Sequence, residues 1–169
     1  MRLLIVWHSR TSASQQLAFF AAEGAKEVLD ELQLRSRCSI ICLPADQVQA
    51  YDLLNASAYL FCAPENLGSL SGEMKAFFDR NYYAVLDQLN GRPYSAMISA
   101  GSSGTGAAKQ LESICTGWRL QRIYPTAIVL FDAQSPAAIL APKTLSPQAI
   151  AQAKELGGLL AAQLSLQLN

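Results

Sequence analysis

The sequence predicts an α/β domain of three layers, with a five-stranded parallel sheet between two layers of helices. Two observations carry that expectation. Short, nearly continuous apolar runs alternate with longer stretches whose apolar residues recur at helical spacing, and no internal repeat or low-complexity tract interrupts the alternation. The chain of 169 residues is 51% hydrophobic, enough for one compact domain with a sizeable core over residues 1–169.

The elements follow in order. Leu3–Trp7 is the first strand, and a hydroxyl-rich loop leads from it to a helix over Ser14–Leu34. Ser39–Leu43 and Ala58–Cys62 are the second and third strands. A helix over Leu70–Leu89 precedes the fourth strand, Ser95–Ser99, and a helix over Ala107–Arg122 precedes the fifth, Ala127–Phe131. The tail forms a helix over Ser146–Leu168, started by Ser146 as N-cap and Pro147 at the first helical position. Strands that are apolar along their length fit a sheet covered on both faces, and right-handed crossovers leave few topologies. Ligands of such sheets bind beyond the carboxyl ends of the strands.

Composition narrows the function classes. Thirteen Lys and Arg balance thirteen Asp and Glu, so there is no basic footprint for nucleic acid or an anionic membrane. No apolar run approaches the ~18 residues of a membrane span. Cys38, Cys42, Cys62 and Cys115 lack zinc-site spacing and follow no secretory leader, so they are expected to be free thiols of a soluble, cytoplasmic protein without a metal.

Three loops at strand carboxyl ends are unusual: "HSRTSAS", "APENLGSLSGE" and "SAGSSGTG". The first places Ser9, Thr11, Ser12 and Ser14 where a strand meets a helix. Unpaired N–H groups and the positive end of the helix dipole, joined by the hydroxyls of Ser9, Thr11 and Ser14, suit one tetrahedral anion, with Arg10 available as countercharge. Helix capping by Ser12 or Ser14 explains the same residues.

"IVWHSRTSASQQLA" resembles the phosphate loop of the flavodoxin-like superfamily, S/T-x-T-G-x-T/S after the first strand. Ser9, Thr11 and Ser14 match; Ser12 stands at the glycine position, and Ala13 where many members have asparagine. "PENLGSLSGEMKAFFDR" is similar to the second loop of flavodoxin-like NAD(P)H-dependent FMN and quinone reductases, with Pro64, Gly68, Gly72, Lys75, Phe77, Asp79 and Arg80 in register. The resemblance implies strand order 2-1-3-4-5, FMN as cofactor and NAD(P)H as co-substrate. It also implies that residues 9–14 hold the phosphate and that Pro64, Glu65, Asn66, Leu67, Gly68 and Ser69 border the polar edge of the ring. The third loop is similar to the family's third flavin-facing turn, which places Ala100, Gly101, Ser102 and Ser103 beside the cofactor.

Other motifs fall away or stay structural. "AGSSG" mimics a nucleophile elbow at Ser102, but the single histidine, His8, precedes that serine, contrary to the α/β-hydrolase order. "GSSGTGAAK" lacks the Lys-Ser/Thr of a phosphate-binding Walker loop, and neither G-x-G-x-x-G nor C-x-x-C occurs. Lys75 and Asp79 read as an i,i+4 ion pair, Phe77 and Phe78 as core or a subunit contact, and Tyr82, Tyr83 and Trp118 as packing groups. His8 reads as a structural hydrogen-bonding residue at a strand end.

The expected function is an FMN oxidoreductase passing electrons from NAD(P)H to a quinone or similar small acceptor. A flavodoxin-type electron carrier and an interaction module without flavin are the alternatives. The apolar helix bearing "KAFFDRNYYAVL" makes a homo-oligomer plausible.

Overall fold

The apolar run at the start of the chain becomes an interior strand, β1 (Arg2–Trp7), in which Leu3, Leu4, Ile5 and Val6 are wholly buried. The computed structural model describes residues 1–168. Helix α1 (Ala13–Glu31) leads to β2 (Ser39–Pro44), a short α2 (Ala50–Asn55) and β3 (Ala58–Asn66). A two-residue strand β4 (Ser69–Leu70) precedes α3 (Gly72–Val85), and β5 (Pro93–Ala100) precedes α4 (Thr105–Gly117). The remaining elements are β6 (Gln121–Arg122), β7 (Ala127–Leu130), α5 (Pro136–Leu140) and α6 (Pro147–Leu166).

The sheet runs β2-β1-β3-β5, with β6 and β7 sharing the far edge of β5, and all these pairs are parallel. β7 is the expected fifth strand, whereas β6 takes the last two residues of the helix expected over Ala107–Arg122; the 2-1-3-4-5 order and the three layers hold. The edge is split for a physical reason. Pro93 faces Gln121 and Met97 faces Ala127, so six steps on the edge oppose four on β5, and Pro125 in the gap has no N–H to donate.

The core alternates as strand geometry requires. Leu4 and Val6 face α2, α3 and α4 with Tyr59, Phe61, Phe77, Phe78 and Trp118, whereas Leu3 and Ile5 face α1 and α6 with Leu60, Leu17 and Leu160. The backbones of α1 and α6 approach closely because small residues line the seam. A Cβ on Gly24 would strike the Lys154 carbonyl, and one on Gly157 would strike that of Ala21. Ser146 caps α6 through the Ala149 N–H, with Pro147 at its start, as its sequence predicts. α3 and α4 end earlier than expected, at Val85 and Gly117, where Asp87 (φ 59°) and Arg119 (φ 57°) turn left-handed while Leu89 and Leu120 beyond them remain buried. No described helix is long and apolar enough to cross a membrane.

Candidate functional site

The three unusual loops converge at the carboxyl edge of the sheet. Loop one passes from β1 into α1 through Ser12, whose φ of 67° is left-handed. No side chain caps α1 or α3, whereas Ser135 caps α5, Ser146 caps α6, and Glu65 occupies the start of α4. The first-turn N–H groups of α1 therefore face outward beside Ser9, Thr11 and Ser12, whose hydroxyls have no protein partner among the described residues.

Serine in a left-handed conformation costs about 1–2 kcal/mol, and glycine recovers most of that, less the larger entropy of its unfolded chain. Ser12→Gly is expected to stabilise the protein by roughly 0.5–1 kcal/mol in urea titrations. A loss of stability would show instead that the Ser12 hydroxyl has a structural role.

Ser14 differs from the sequence reading. It is wholly buried, and its Oγ lies 2.8 Å from Ser99 Oγ, so its hydroxyl joins α1 to β5 instead of entering the loop. Arg10 is exposed and donates to Glu73 Oε1 at 2.8 Å, a contact across to α3. Thr11 is held from behind by the Lys143 N–H on its carbonyl at 2.8 Å, while Gln16 Nε2 bonds the Lys143 and Ser12 carbonyls. The indole N–H of Trp7, the residue before loop one, is buried without a partner among the described residues.

His8 joins the first loop to the second. Its Nδ1 is 2.8 Å from Ser71 Oγ, and its Nε2 is 3.6 Å from Glu73 Oε2. Ser71 is wholly buried, and Ser102, at the elbow-like turn, has no hydrogen bond to the histidine among the described residues. Burial lowers the His8 pKa, with Arg10 lowering it further and Glu73 and Asp46 opposing. The Glu73 carboxyl is lowered by its own backbone N–H and by Arg10.

The sign of the His8 effect on stability follows. Below the ordinary value of 6.5, the unfolded chain takes up a proton that the folded chain refuses until its lower value is reached. This contribution to stability is therefore full above the ordinary value of 6.5, falls as pH drops from there to the lower folded value, and levels off beneath it. His8→Asn should flatten this slope in urea titrations stepped through the window; equal slopes in both proteins would contradict the assignment.

Loop two is a hairpin. Asn66 pairs with Ser69 across Leu67 (φ 51°) and Gly68 (φ 73°), the two positive values of a type I′ turn. β3 thus extends past the expected Cys62 to Asn66, and Leu67 stands wholly exposed at the tip. Pro64 ends the part of β3 that pairs with β5, opposite Ser99.

Glu65 points away from the tip. Its Oε2 accepts the Gly104 N–H at 2.7 Å, and its Oε1 accepts those of Gly106 at 3.1 Å and Ala107 at 3.3 Å. This carboxylate, expected beside a cofactor, caps α4. Leu70 N–H donates to Gln110 Oε1 at 2.7 Å, and a Cβ on Gly106 would strike the Gly68 carbonyl, so the hairpin lies flat on α4.

Loop three follows β5. The Ala100 carbonyl accepts the Phe131 N–H, and Gly101 is covered by residue 133, whose carbonyl a Cβ would meet at 2.7 Å. Ser102 is exposed, and Ser103 Oγ lies 2.8 Å from Thr105 Oγ1. Residues 9–13, the 66–69 turn and residues 100–103 thus border one end of the sheet, with His8–Ser71 linking the first loop to the second and Gly68–Gly106 the second to the third.

Of the remaining residues, Lys75 bonds both carboxylate oxygens of Asp79 at 2.6 and 2.7 Å, and Phe77, Phe78 and Trp118 lie in the core. Tyr83 is largely exposed. Burial pushes the Cys62 and Cys115 thiols well up and Cys42 to about 11, so at neutral pH none of these is a thiolate nucleophile. Sequence reasoning missed Ser71, Glu73, Ser99, Gln110 and Lys143, whose partners lie tens of residues away.

Comparisons with known proteins agree with this fold. A family model described as NADPH-dependent FMN reductase matches residues 1–135. A curated relative named flavodoxin, from Aquifex aeolicus (strain VF5), is 28% identical over 115 residues, 68% of this chain and 58% of that protein's length. A flavodoxin from the domain Archaea superposes with a TM-score of 0.78 at 16% identity, covering 98% of this chain and 99% of that one. Rubredoxin oxygen:oxidoreductase from Desulfovibrio gigas gives 0.75 at 13% identity, over 99% of this chain and 37% of that one. At these identities the two structures establish the flavodoxin fold.

Proposed function

The chain belongs to the NADPH-dependent FMN reductase family, and from that membership we propose that it binds FMN in the carboxyl-edge crevice and passes electrons from NAD(P)H to a quinone or similar small acceptor. The observation that carries the binding half is the open start of α1. Among the described residues α3 also begins without a side-chain cap, but α1 alone begins uncapped beside three hydroxyls, of Ser9, Thr11 and Ser12, that have no protein partner. An uncapped helix start with a positive dipole end favours a phosphate dianion.

In this reading Ser9, Thr11 and Ser12 donate hydroxyls, and Ala13 and Ser14 donate backbone N–H groups, to the phosphate. The Asn66–Ser69 turn presents backbone N–H groups to the ring edge, and Gly68 lets the chain come close to a flat surface. Residues 100–103 border the opposite side. When bound, FMN supplies the hydride and electron chemistry. The protein positions it and leaves one face of the crevice for donor and acceptor in turn, with no dedicated acid or base required.

The runner-up is an electron carrier, favoured by the flavodoxin name of the curated relative. Anaerobic addition of NADPH or NADH to the flavin-loaded protein separates the two. Bleaching of the oxidised flavin band at a catalytic rate is expected. Flavin that stays oxidised under both nucleotides rejects the reductase and leaves the carrier.

A further inference from the structure

We propose that Glu65 is a positioning residue: by bridging the hairpin and the start of α4, it fixes the gap between the two loops that border the flavin ring and tunes the ring's affinity and potential. This rests on the flavin reading above. The carboxylate belongs to β3 and leads directly into the Asn66–Ser69 turn, while its three donors, Gly104, Gly106 and Ala107, continue directly from residues 100–103.

Three further contacts make the bridge stiff. Gly104 sits at a φ of 79° against Ile128, Gly106 admits the Gly68 carbonyl, and Leu70 N–H is held by Gln110. The tip cannot shift on α4 without breaking charge-assisted bonds, which are stronger than neutral ones. The carboxylate also cancels the positive end of α4. Removing its charge therefore leaves a more positive environment beside the ring and favours the reduced, anionic form.

The test uses Glu65→Gln, which keeps the side chain's size and loses the charge and one acceptor. Hydrogen exchange on the flavin-free protein reads the bridge itself: the amides of Gly104, Gly106, Ala107 and Leu70 should exchange at least about tenfold faster. With flavin, FMN and riboflavin should both bind about tenfold more weakly, leaving their ratio unchanged, and the midpoint potential should rise. Unchanged exchange overturns the bridge. Faster exchange with unchanged affinity and potential overturns the positioning role. Wild-type protein that takes up no FMN rejects the flavin reading and this role with it, an outcome visible before any variant is compared.

Discussion

Gly106→Ala is expected to raise the Kd for FMN roughly a hundredfold, equivalent to about 2.7 kcal/mol. The added Cβ would sit inside the Gly68 carbonyl, a contact between two backbones that no rotamer change relieves. The hairpin must lift from α4, carrying the Asn66–Ser69 turn out of place and pulling Glu65 from the amides of Gly104, Gly106 and Ala107. Folding should also suffer, by about 1–3 kcal/mol of overpacking. Isothermal titration beside a urea melt checks both numbers. A Kd within a few-fold of wild type would show that the turn does not touch the cofactor.

The second large effect is on stability. Gly157→Ala should destabilise the protein by ~3 kcal/mol, a large part of the 5–15 kcal/mol typical of a domain. In an exposed helix interior the same change stabilises by about 1 kcal/mol. Here the sign reverses because the methyl group would enter the Ala21 carbonyl and force α1 from α6. Gly117 provides the control: it ends α4 with open space around its Cβ direction, so Gly117→Ala should be neutral or mildly stabilising. If the two variants melt alike, close packing of α1 on α6 does not matter to stability.

What could be read from the sequence was local. Apolar runs gave the strands, Ser146-Pro147 marked the start of α6, and Lys75–Asp79 is an interaction one helical turn long. Of the three hydroxyls whose spacing points to the start of α1, those of Ser9 and Thr11 lie beside it, whereas that of Ser14 turns inward to Ser99. What stayed hidden was long-range or conformational. Nothing near Ser14 announces Ser99, 85 residues on, and nothing near Glu65 announces that its carboxylate serves a helix about 40 residues later. The hairpin escaped notice because Leu67 occupies a left-handed position that usually reveals itself as Asn or Gly. Pro125 split the edge strand, a visible residue whose effect depends on which strand it faces.

The most direct measurement of the central claim is a paired titration of the flavin-free protein with FMN and with riboflavin, which differ only in the phosphate. A cradle at the start of α1 predicts that FMN binds at least a hundredfold more tightly, a gap of about 2.7 kcal/mol, and that the gap narrows when Ser9 and Thr11 are both changed to alanine. Equal affinities for the two flavins, or no binding of either, would contradict it.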